Sequence, residues 1–69
     1  IALLFREVKP RGIRIGFRSD SIDVGKLAAR FGGGGHKLAA GAKLSGSLDE
    51  AVEKVLAAAR EYLGEEDQT

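Results

Sequence analysis

Phe31-Gly32-Gly33-Gly34-Gly35-His36-Lys37 is the stretch on which the reading of this 69-residue chain turns. Glycine loses more backbone freedom on folding than any other residue, and inside a regular element it costs about 0.5–1 kcal/mol relative to alanine. Four in succession weigh heavily on a domain this small, whose net stability is modest. Two physical uses fit such a run. The backbone adopts left-handed conformations there, or a ligand approaches the amides too closely for a Cβ. Successive glycine N–H groups can form a concave nest for an anion, and His36 and Lys37 would add donors and positive charge. A flexible linker is the competing reading. Against it stand the lack of serine and the structured segments on both sides.

Before the run lies a short helix. Asp23 is its expected N-cap, and Val24, Leu27, Ala28 and Phe31 recur at i, i+3, i+4 and i+7. Gly32 is placed to take the left-handed C′ position. The glycines therefore begin at a helix C-terminus, where the macrodipole is negative and does not attract phosphate. Any anion site must come from loop amides and basic side chains. Neither dinucleotide-binding nor P-loop spacing registers here, since no Gly-Lys-Ser/Thr follows.

After the run, Leu38, Ala40, Ala42 and Leu44 alternate, which predicts a strand near 40–45. The small Ala39, Ala40 and Gly41 read as close packing. Ser47-Leu48-Asp49-Glu50 is a capping box. It opens a helix with the stripe Leu48, Val52, Val55, Leu56, Ala59 and Leu63. Gly64 is expected to end it, giving a domain over 1–64 and a frayed acidic tail over 65–69.

Upstream, residues 1–8 predict a strand whose apolar start suggests burial on both faces. Lys9-Pro10-Arg11-Gly12 reads as a turn. In the next strand, about 13–19, Ile13, Ile15 and Phe17 share one face and Arg14, Gly16 and Arg18 the other. Gly16 leaves a flat gap between two arginines. The order ββαβα predicts an α+β fold: a small three-stranded sheet with both helices packed on one face. The opposite face, with Arg14, Arg18 and Lys43, is left open.

Composition narrows the function classes. The chain has no cysteine, hence no disulfide framework or thiolate, which fits the cytoplasm. No apolar run approaches the roughly 18 residues of a membrane span, and no signal peptide is visible. The chain opens inside an apolar run without methionine, which reads as a piece of a longer protein. Net charge is +1 but segregated: residues 1–46 hold nine Lys/Arg and three Asp/Glu, and residues 47–69 hold two and seven. Either the last helix is simply an acidic solvated face, or the first two thirds meet a polyanion. With one histidine, and with Asp20 and Asp23 explained by turn and cap, no catalytic or metal-binding constellation emerges. Ser19 and Ser21 lack a nucleophile elbow. The expectation is a module that binds phosphate without cleaving.

The strings Phe17-Arg18-Ser19, Asp23-Val24, Phe31-Gly32-Gly33-Gly34-Gly35-His36 and Ala39-Ala40-Gly41 resemble the C-terminal DHH-associated domain of DHH-family phosphoesterases. That family includes oligoribonucleases that also act on adenosine 3′,5′-bisphosphate, RecJ-type single-strand exonucleases and cyclic-dinucleotide phosphodiesterases. The resemblance covers roughly residues 1–63 and is greatest to the oligoribonuclease group. It implies a manganese-dependent catalytic domain N-terminal to this one, and no cofactor in this domain itself. The present domain would then grip short RNA, single-stranded DNA or nucleotide phosphates.

Carried over, Gly33, Gly34 and Gly35 would offer amides to a phosphate. His36 would donate to that phosphate or contact a base. Arg18 would hold a phosphate or stack on a base, and Ser19 would assist by hydrogen bonding. Arg14, Lys37 and Lys43 are accessory candidates. The alternative is a structural module that packs on the catalytic domain or forms a homodimer, with the glycines as a hinge. A synthetase-type RNA-binding module fits the arginine–serine and His-x-x-Ala-Ala-Gly pattern less well.

Overall fold

A computed structural model describes residues 1–8 and 12–67. Lys9, Pro10 and Arg11 of the expected turn, and the last two residues of the expected tail, lie outside the described residues. The elements are β1 (Ala2–Val8), β2 (Gly12–Arg18), α1 (Val24–Ala29), β3 (Gly34–Gly35), β4 (Ala39–Ser45) and α2 (Leu48–Asp67). The sheet order is β1-β2-β4-β3, antiparallel throughout.

The α+β class and the one-sided helices are as the sequence predicts. Ile13, Ile15 and Phe17 of β2 are buried with Val24, Leu27 and Ala28 of α1 and with Ala51, Val55, Ala59 and Tyr62 of α2. Phe31 stacks on Phe17 with ring centroids 6.4 Å apart. Asp23 caps α1, its carboxylate accepting from Lys26 N–H at 3.2 Å. The end of α1 is a paired bonding motif: Gly33 N–H donates to Ala28 C=O and Gly32 N–H to Ala29 C=O, both at 3.1 Å. Gly32 takes φ +78° there, the left-handed conformation that this cap requires.

Four expectations change. The sheet has four strands, because Gly34 and Gly35 pair with Gly41 and Ala40 as a two-residue edge strand. Nor is β1 buried on both faces. Leu3 and Phe5 pack toward the core, whereas Leu4 is 65% exposed, because no layer covers the far side of the sheet. In α2 the buried stripe is Ala51, Val55, Ala59 and Tyr62, with Leu48 and Leu56 at its exposed flank. The small alanines let α2 approach closely, and Tyr62 Oη donates to Asp23 C=O at 2.6 Å. The same helix runs through Gly64 to Asp67. Gly64 does not take positive φ, so it does not form the left-handed stop.

Candidate nucleic-acid interface

The core-facing residues of the sheet are the odd positions of β1 and β2 and the even positions of β4. Strand alternation therefore turns Ala2, Leu4, Arg6, Arg14, Gly16, Arg18, Ala39, Gly41 and Lys43 to the open face, with Val8, Gly12 and Ser45 in a further row at one end. The pairing register sorts the first nine into three cross-strand rows. Arg6, Arg14 and Lys43 form the first, and Leu4, Gly16, Gly41 and Gly34 the second. Ala2, Arg18 and Ala39 form the third, which His36 extends by donating its N–H to Ala39 C=O at 2.8 Å. A floor of three glycines thus lies between a fully cationic rim and a rim carrying Arg18 and His36. Arg6, Arg14, Arg18, Lys43 and His36 are all exposed. Arg18 and His36 are two strands apart, about 10 Å at ordinary strand spacing.

The floor glycines are not required by the fold. A Cβ on Gly34 meets nothing within 4 Å. One on Gly16 comes to 3.7 Å from Leu4 Cβ, and one on Gly41 to 3.5 Å from Ile15 O, both ordinary contacts. None of the three has positive φ. Their neighbours in the run differ. A Cβ on Gly33 would overlap Gly41 O and come within 2.7 Å of Ala42 Cα, and one on Gly35, at φ +148°, within 2.8 Å of Ala39 O. The run is therefore not uniform: the fold requires glycine at Gly33 and Gly35 and not at Gly34.

The amides are also divided. Gly33 N–H is spent on Ala28 C=O, which corrects the expectation that it is offered to a phosphate. The His36–Ala39 bond fixes the parity of the β3–β4 ladder. Bonded and non-bonded pairs alternate in an antiparallel ladder, so Gly34 N–H points toward β4 and Gly35 N–H away from it, to the side where Gly25 of α1 lies close to Gly35 O. The expected nest of three free amides thus becomes a strand edge with one free amide.

Ser19 Oγ accepts from Ser21 N–H at 3.1 Å and Ile22 N–H at 2.8 Å. It holds the β2–α1 turn and keeps its own proton to donate. Lys37 lies in the β3–β4 turn beyond the third row, and its carbonyl accepts from Val24 N–H at 2.7 Å.

The concave part of the open face is a groove of about 770 Å³ lined by Leu4, Arg6, Arg14, Gly16, Gly33, Gly41 and Lys43, among others. Arg18, Ser19, Gly34, Gly35 and His36 do not line it. The predicted site residues therefore divide between the groove, which takes Gly33 and the accessory Arg14 and Lys43, and the adjoining end of the sheet. Sequence reasoning missed Arg6 and gave Gly41 a packing role. The hairpin register would have revealed Arg6, which sits directly opposite Arg14.

Among the described residues no group of three or more His, Cys, Asp or Glu comes together to hold a metal. Manganese, implied by the family resemblance, therefore has no ligand set among the described residues. Among the described residues no helix is long and apolar enough to cross a membrane.

An antiparallel sheet with helices on one side and a cationic, glycine-floored opposite face defines a small two-layer α+β module. The chain belongs to the DHHA1 domain family, which matches residues 1–65. It is 40% identical over 65 residues to the bifunctional oligoribonuclease and PAP phosphatase NrnA of Thermus thermophilus, a match covering 91% of this chain. The matched region is 20% of that relative's length.

Proposed function

We propose that this domain binds the phosphates of short RNA, single-stranded DNA or nucleotides and presents them for hydrolysis by an N-terminal catalytic domain of the same protein. That protein is then a phosphoesterase, manganese-dependent and cytoplasmic, and this domain contributes binding and orientation and no nucleophile. The observation that carries the reading is the row Gly16–Gly41–Gly34. Three glycines, each tolerating a Cβ, lie between cationic rims, so the backbone is bare for something outside the chain.

Phosphate contacts supply affinity without sequence preference. Arg18 gives a planar, bidentate donor set for a phosphate. His36, Ser19 Oγ and the edge amide of Gly35 add single donors nearby, and Lys37 adds charge at the end of the row. The face offers no aromatic platform, since Phe17 is buried and Phe5 and Phe31 pack on the core, so base stacking contributes little. Leu4 and Val8 are the apolar side chains larger than alanine that the described strands turn to this face, and only Leu4 is largely exposed, which argues against a structural or homodimer role for it.

The test has two arms. Titration of the chain with a short oligonucleotide at two salt concentrations should give weak affinity that falls as salt rises. In the full-length protein, Arg18→Ala and His36→Ala should each slow hydrolysis of short RNA, Arg18→Ala by about tenfold or more for a lost charge-assisted bond. Unchanged hydrolysis in both variants would refute the assigned roles.

A further inference from the structure

We propose that Arg6, Arg14 and Lys43 form a second phosphate subsite, two nucleotides along from the Arg18–His36 end, so that the chain binds single strands with several phosphates more tightly than those with one. This rests on the reading of the open face as a nucleic-acid site.

Three cations stand directly opposite one another across three adjacent strands, an arrangement that is destabilising by itself. Among the described residues no carboxylate pairs with them; Glu61 of α2 pairs instead with Arg30, just past α1. Folding alone does not explain such a row, and a bound anion would relieve it. The row also has the shape of a site. All three side chains line the groove, together with the bare backbone of Gly16 and Gly41. Arg14 and Arg18 lie four residues apart on one strand, about 14 Å at ordinary strand rise. That distance is wider than one nucleotide unit and suits two consecutive ones laid across the glycine floor. Arg6 and Arg14 present planar forks that match phosphate oxygens, and Lys43 closes the row as a point charge.

The experiment measures fluorescence anisotropy of the chain with a labelled adenosine dinucleotide and a labelled adenosine pentanucleotide over a salt series. The wild type should bind the pentanucleotide about tenfold more tightly, with a salt slope steeper by about 0.7 for each extra phosphate contact. Arg6→Gln/Arg14→Gln should remove most of that length preference, weakening the pentanucleotide about tenfold more than the dinucleotide. Arg18→Gln should weaken both ligands to a similar extent. The double variant should also unfold roughly 2–4 °C higher at low salt, because like-charge repulsion is removed; this reports a folded protein without reference to binding.

A wild type without length preference overturns the subsite, as does a double variant that weakens both ligands equally or neither. If Arg18→Gln changes nothing while the double variant abolishes the length preference, the subsite stands and the role given to Arg18 fails. If neither oligonucleotide binds, both readings fall.

Discussion

Two sets of glycines, interleaved in sequence, do different work. Gly32, Gly33 and Gly35 are glycine because the fold demands it: positive φ at Gly32 and Gly35, and no room for a Cβ at Gly33 or Gly35. Gly16, Gly34 and Gly41 have ordinary φ and space for a methyl, and they lie side by side in one cross-strand row. The first set is satisfied within the chain. The second has no such requirement within the chain, and the ligand-binding role proposed above is what would account for it.

The largest expected effect tests the first set. Gly33→Ala drives a methyl into the β4 backbone and should cost about 3 kcal/mol, the upper range for overpacking. That is a large share of what a domain this size has, and urea unfolding would read it. Gly35→Ala combines positive φ with a close carbonyl and should cost about 1–3 kcal/mol, seen as a lower unfolding midpoint. For the second set the sign reverses. Gly16→Ala should leave the free chain unchanged or stabilise it by up to about 1 kcal/mol, while oligonucleotide affinity falls about tenfold, or 1.4 kcal/mol. Gly34→Ala, at the thin edge strand, should shift stability by less than about 0.5 kcal/mol and still weaken binding. If Gly16→Ala and Gly34→Ala both bind as the wild type does, the division between the two sets has no functional meaning.

Much of this fold is legible in the sequence because side chains carry the period. The alternation of Ile13, Ile15 and Phe17 marks β2 and its buried face. Ser47 and Glu50 mark the start of α2, and Ser47 Oγ indeed accepts from Glu50 N–H at 3.2 Å. The strand β3 is illegible for the opposite reason. Glycine has no side chain to show a period and little strand propensity, so only the partner strand defines it.

The site was half legible. Arg18 and Arg14 stand out beside Gly16, but their neighbours across the sheet depend on register, which a hairpin turn sets and composition does not. Arg6 hid in a strand that reads as apolar, and Gly41 hid between Ala40 and Ala42, whose side chains point to the core.

A final consequence concerns Asp23 and Val24. The Asp23 carbonyl receives the Tyr62 hydroxyl, and the adjacent Val24 N–H is given to the Lys37 carbonyl. One dipeptide thus anchors the long acidic helix on one side and the tip of the glycine hairpin on the other. The long helix behind the sheet and the hairpin that leads into His36 therefore share a single two-residue anchor.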